Sequence, residues 1–219
     1  MSRFLNEIFV FAGPNGSGKS TAIKSFLENK ACPEDYICPD NLVPSDKKES
    51  IDAYMKAMIL AEEKRIENLN CGKSFTFETV LSTKSKVDFL KEAKTKGFRI
   101  TAIYITTSDP DINFKRIQIR KKQGGHGVPK FKIYSRYKKS MSLMADVIDI
   151  ADEAEVYDNS QESPIHVFEK NEFGEVILLN RELREEWVDR YITKPLKKKG
   201  ILIHEDLTCE ETVAFMNEE

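Results

Sequence analysis

The sequence predicts an α/β fold, a doubly wound and mainly parallel sheet flanked by helices, on three observations. Short apolar or β-branched runs alternate with longer segments of helical periodicity along most of the chain, the rhythm of right-handed crossovers between parallel strands. One run, Arg99 to Thr107, is apolar almost throughout, as in a strand buried on both faces. The first run, Ile8 to Ala12, empties into Gly13-Pro14-Asn15-Gly16-Ser17-Gly18-Lys19-Ser20-Thr21, which meets the phosphate-binding P-loop pattern G-x-x-x-x-G-K-[ST] at every fixed position.

The chemistry accounts for that spacing. Glycines let backbone N–H groups turn inward around an anion, Lys19 reaches the outer phosphates, and the Ser20 hydroxyl suits a magnesium ion. Ala22, Ile23, Phe26 and Leu27 follow at helical spacing, so a helix N-terminus also faces the phosphates.

Further along, Tyr36-Ile37-Cys38 ends in Pro39-Asp40-Asn41, a short strand delivering an acidic residue to the edge where open α/β sheets bind ligands. Residues Ser50 to Asn70 form a long amphipathic helix with apolar positions Ile51, Tyr54, Met55, Met58, Ile59 and Ile66, its methionines filling core. Ser74 to Leu81 is a third strand carrying Glu78 near its end. Thr83 to Lys96 is a helix stopped by Gly97, and Asp109-Pro110 opens another that runs to the break at Gly124-Gly125-His126-Gly127-Val128-Pro129. A helix over Lys130 to Ile150 follows, then Ala154 to Ser160 as the last strand of the sheet. A β-hairpin comes next, Ile165 to Lys170 with Glu175 to Leu179. Arg181 to Thr193 is helical and ends at Pro195 and Gly200, leaving a tail from Ile201 that packs on the domain or on a partner. One domain over 1–219 is expected, with a core of about 7–165 and the hairpin, helix and tail over 164–219.

Composition narrows the function. With 219 residues, 40% of them hydrophobic, the chain can bury a substantial core. A net charge of −2 makes the whole molecule no electrostatic partner for nucleic acid or membrane. Cys32, Cys38, Cys71 and Cys209 form no C-x-x-C pair, so reduced thiols are expected, and no apolar run would span a bilayer. A soluble, cytoplasmic protein follows from these readings. From Lys115 to Lys139 there are ten lysines or arginines and no acidic residue. Most suit a solvated helix face, while Arg116, Arg120 and Arg136 suit a mobile flap closing over a transferring group, hinged by the glycines around His126.

Switch-GTPase motifs and an ABC-type signature do not follow the P-loop. A small-molecule kinase needs a P-loop, a carboxylate to take the acceptor proton, an acceptor site and a basic lid, and each has a candidate here. The loop Ala12 to Thr21, Pro39-Asp40, Phe77-Glu78-Thr79, Gly124 to Pro129 with Arg136-Tyr137, and Tyr157-Asp158-Asn159-Ser160 stand in the order and spacing of one family. Over about residues 7–165 the chain resembles the zeta-toxin family of P-loop kinases, in its chromosomal branch. The resemblance implies transfer of a phosphate from ATP or GTP, with Mg2+, to a hydroxyl of a nucleotide-sugar such as UDP-N-acetylglucosamine, and restraint by a small antitoxin protein.

It further implies that Asp40 is the general base and that Glu78, with Thr79 beside it, binds substrate. Arg120, or Arg116 one turn earlier, meets the γ-phosphate, and Asp158 and Asn159 lie beside the nucleotide base. His126 stands about where the toxins have a second arginine, which Arg136 is placed to replace. Other uses fit the same residues: a turn or helix cap for Asp40, a strand-end carboxylate for Glu78, a hinge for His126, a turn for Asp158 to Ser160. A P-loop ATPase acting on nucleic acid and a same-fold kinase with another acceptor are the alternative functions; few aromatics interleave with the basic run, which weakens the first.

Overall fold

The computed structural model describes residues 6–44, 50–123, 127–179 and 186–205. Its centre is β1 (Glu7–Ala12), in which Ile8, Val10, Phe11 and Ala12 are fully buried. In chain order follow α1 (Lys19–Glu28), β2 (Tyr36–Ile37), α2 (Pro39–Leu42), α3 (Ile51–Cys71), β3 (Phe75–Thr79) and α4 (Lys84–Thr95). Then come β4 (Arg99–Thr106), α5 (Pro110–Lys122), α6 (Lys130–Ile150), β5 (Glu153–Asp158), β6 (Ile165–Lys170) and β7 (Val176–Leu178). The described chain closes with α7 (Glu186–Val188), a π-helical turn (Asp189–Thr193), α8 (Lys194–Lys198) and β8 (Ile203–Glu205).

The strands form one sheet in the order β2-β3-β1-β4-β5-β6-β7-β8. The first five run parallel, so the C-terminal ends of β1 to β5 share one edge. Register places the chemistry along that edge. Phe11 pairs with Glu78 and Ala12 with Thr79, so Glu78 is level with the end of the strand that feeds the P-loop. Thr106 pairs with Asp158 across β4 and β5. One large core packs Phe75, Phe77, Phe89, Tyr104, Met141, Met144, Phe168 and Trp187 on one side of the sheet. A smaller one, with Ala22, Ile23, Phe11 and Ile103, sits under α1.

Three expectations change. β5 is not the last strand: β6 adds to it antiparallel, β7 to β6, and β8 pairs parallel with β7, so the hairpin and the start of the tail extend the same sheet. A hairpin with an apolar face lowers its free energy by joining an open edge. The helix after it does not end at Pro195. Helical backbone runs without a break from Glu186 to Lys198, and the π turn, with its wider spacing, lies just ahead of Pro195, whose ring supplies no N–H to the preceding turn. Gly200, at φ 80°, ends it.

The largest change concerns α3. Its buried residues are Ala57, Ala61, Arg65, Asn68 and Leu69, whereas Met55 is 60% and Met58 58% exposed, and Ile51, Ile59 and Ile66 are exposed too. These methionines are not core filling. Among the described residues only the two-residue β2 lies outside β3, so the described sheet does not extend over that flank.

Candidate active site

The P-loop owes its shape to three glycines and two asparagines. Gly13, Gly16 and Gly18 have φ of 142°, 78° and 100°, in or near the left-handed range that glycine alone enters freely. A Cβ on Gly13 would stand 1.9 Å from the Ile105 carbonyl oxygen, and one on Gly18 2.3 Å from Asn159 Nδ2. Asn113 Nδ2 donates to the Asn15 carbonyl at 2.8 Å, and Asn159 Nδ2 donates to the Ser17 carbonyl at 2.8 Å. Gly13 N donates to the Thr79 carbonyl at 3.2 Å.

Asn113 is fully buried in α5, and its Oδ1 accepts from the Thr107 hydroxyl. The sequence reading missed it. Its only local signal is an asparagine among apolar helical positions one turn after a proline-initiated start.

At the mouth of the loop, α1 presents an N-terminus with no acidic residue in its first turn, which leaves the positive end of its dipole for an anion. Lys19 is buried and donates to the Pro14 carbonyl at 2.8 Å. Burial pushes its ammonium below the usual lysine range. Glu78 pulls it back most, Arg120 pushes the same way as burial, and Cys38 and Asp40 also raise it. Glu78 from β3, Arg120 from α5, and Cys38 and Asp40 from the end of β2 and the start of α2 thus all act electrostatically on one lysine.

The Ser20 hydroxyl lies 3.4 Å from Glu78 Oε2, to which it donates. The Tyr36 hydroxyl is pushed well above the ordinary tyrosine value, first by burial and then by the Glu78 charge, with Cys38 acting the same way. Burial, with Glu78 next, pushes the Cys38 thiol up to about 12, so it stays protonated. On α3, the Tyr54 hydroxyl is raised by burial and then by Asp40, with Arg120 opposing. Tyr54 therefore joins this cluster, a neighbour that helical spacing alone assigned to core.

Other expected residues fall on the far side of the loop. A cavity of about 550 Å³ opens beside it, lined by Gly18, Thr21, Arg116, Asn159, Ser160, Gln161, Glu162 and Pro164. Arg116 thus borders this cavity, while the charge of Arg120 acts on Lys19. Asp158 is buried, with one carboxylate oxygen accepting from Ser160 N at 2.8 Å and the other from Trp187 Nε1 at 3.2 Å. The Thr79 hydroxyl accepts from Leu81 N at 3.0 Å. Both residues are thus engaged within the protein and shape the edge. Arg136 is half-buried on α6, and among the described residues it shares no hydrogen bond or ion pair with the Lys19 cluster. His126 lies outside the described residues.

The donor set suits a polyphosphate with a hard cation. Asn15 Oδ1 and Ser17 Oγ, both in the loop, are buried without a hydrogen-bond partner, and a hydroxyl beside a carboxylate is oxygen chemistry of the magnesium kind. Among the described residues no three His, Cys, Asp or Glu side chains gather as a metal cage. That fits an ion held largely by phosphate oxygens. No helix among them is long and apolar enough to cross a membrane.

Sheet order, loop and flanking helices define a P-loop kinase-like fold. The complex of AvrRxo1-ORF1 with AvrRxo1-ORF2, solved with ATP, superposes with a TM-score of 0.66 at 17% identity over 90% of this chain and 74% of that one. In the same complex with sulphate ions the score is 0.66, and the match covers 86% of this chain but 64% of the other, so this chain spans less than two thirds of that protein. The PezAT chromosomal toxin–antitoxin system of Streptococcus pneumoniae superposes with a TM-score of 0.55 at 17% identity, over 77% and 72% of the two chains. No protein-family model matches. The chain is 31% identical over 135 residues to an uncharacterised protein of Haemophilus influenzae, across 60% of this chain and 93% of that one. It belongs to the same family as that protein.

Proposed function

We propose that the protein is a small-molecule kinase that moves the γ-phosphate of ATP, or GTP, to a hydroxyl of a nucleotide-sugar of the UDP-N-acetylglucosamine kind. The observation that carries this reading is the Ser20 hydroxyl donating to Glu78 at 3.4 Å at the mouth of the P-loop, with Asp40 and Arg120 within electrostatic reach of Lys19. Two carboxylates and two cations within reach of one another support a reading as base, oxygen ligand and charge-offsetting groups for phosphoryl transfer. The fold shared with a complex solved with ATP supports nucleotide binding, and the toxin–antitoxin neighbour supports a search for an antitoxin protein partner.

Asp40, exposed at the start of α2, accepts the proton of the acceptor hydroxyl as its oxygen bonds to phosphorus and the bridging P–O bond breaks. Lys19 and Arg120 offset charge growing on the phosphoryl oxygens, and the loop N–H groups hold the phosphates. Ser20 and Glu78 would hold Mg2+, which when bound neutralises phosphate charge. That adds a second task for Glu78 to the substrate contact expected of it. Arg116 and Asn159 border the cavity that takes the nucleotide base, with Asp158 and Thr79 positioning the edge. His126 and Arg136 are assigned to the lid.

Transfer from ATP and magnesium to a panel of UDP-sugars, nucleotides and oligonucleotides tests the acceptor. A phosphorylated UDP-sugar supports the reading. ATP turnover stimulated only by nucleic acid overturns it.

A further inference from the structure

The exposed flank of α3 is not used by the proposed chemistry. At 100° per residue Ile51, Met55, Met58, Ile59, Glu62 and Ile66 fall within an arc of about 100° and extend for about 22 Å along the helix. Five of the six are large, apolar and between 47% and 79% exposed. They form a patch on the order of 500 Å², a size at which exposed apolar surface on a soluble protein marks an interaction site.

We infer that this flank pairs with the same flank of a second copy, the two α3 helices crossing antiparallel about a two-fold axis between Met58 and Ile59. Three features favour a second copy. The seam is self-complementary about that point: Met58 meets the partner's Ile59, and Ile51 meets the partner's Ile66, as an isologous contact requires. Doubling the patch gives about 1,000 Å², the lower threshold for a specific interface.

Charge also matches. Lys56 and Glu63 stand on one border of the seam, and antiparallel crossing sets Lys56 beside the partner's Glu63 twice over by symmetry. Lys56 already pairs with Asp52 of its own chain at 2.8 Å, with both side chains about three-quarters exposed and free to rearrange. Glu62, the one charge inside the seam, is taken by Arg65 of its own chain at 2.5 Å and by Lys86, so pairing buries no lone carboxylate.

Sedimentation equilibrium of the full chain over a concentration series tests this. The parent dimerises. Met58→Lys, which sets two charges at the axis, raises the dissociation constant at least about tenfold, with an unchanged thermal melt in dilute solution showing the fold intact. Lys56→Glu weakens pairing, and adding Glu63→Lys restores it, as no unrelated partner would. A parent that stays monomeric at every concentration overturns the inference, as does a Met58→Lys chain that pairs like the parent. Asp40→Ala leaves the dimer unchanged, so this test stands apart from the kinase reading.

Discussion

The two sides of the P-loop are built differently. On the nucleotide side, α6 buries nine of its 21 residues, and its Tyr137 hydroxyl donates at 2.6 Å to the carbonyl of Thr107. The Thr107 hydroxyl in turn holds Asn113, which holds Asn15. On the acceptor side, α3 also has 21 residues but buries five, while Asp40 stands on a four-residue helix after a two-residue strand. One side is a cradle fixed by the core. The other is a thin frame, with few buried residues to hold it, and the proposed reading assigns the acceptor to this side.

The strongest way to break that contrast is at Lys19. Lys19→Ala should cut phosphate transfer by about a hundredfold to a thousandfold and weaken ATP binding as well, whereas substitutions around Asp40 should spare ATP binding. Equal losses of ATP affinity on both sides, read by calorimetry, would erase the distinction.

Next in size is packing. Met144→Ala in α6 should cost about 2–5 kcal/mol in denaturant unfolding. Met58→Ala in α3, at concentrations too dilute for pairing, should change stability by under about 0.5 kcal/mol. Asn113→Ala sharpens the contrast further. It leaves the Asn15 carbonyl without its Asn113 donor, while the Thr107 hydroxyl keeps the Asp109 carbonyl as acceptor, so it should cost about 1–3 kcal/mol and loosen ATP binding with no change in preference among acceptors.

The smallest expected effect concerns pH. His166 stacks on Tyr157 at 4.7 Å, and burial lowers its pKa from the ordinary 6.5, against a weaker pull from Glu169. The unfolded chain therefore takes up this proton first as pH falls. The stabilising contribution is complete above 6.5 and is lost as pH falls from there toward the depressed folded value. Thermal melts of His166→Gln should lack that part of the acid loss.

These contrasts also show what the sequence can tell. The P-loop was legible because phosphate chemistry fixes residue types at fixed spacing, and the bounds of α6 because Pro129 and the turn before Glu153 punctuate it. Glu78 and Asp40 were legible as carboxylates at strand ends. The face of α3 was not: periodicity reports that an apolar stripe exists, not whether the sheet extends far enough to cover it. Asn113 was hidden because its partner lies 98 residues away. The hairpin strands were legible, but their joining to β5 was not, because edge pairing leaves no local mark.

The central claim is tested most directly by measuring phosphate transfer and ATP affinity together for the parent and Asp40→Ala. The account predicts that transfer falls by about a hundredfold to ten-thousandfold while ATP binding holds within about twofold. Transfer by Asp40→Ala at the parent rate would contradict it.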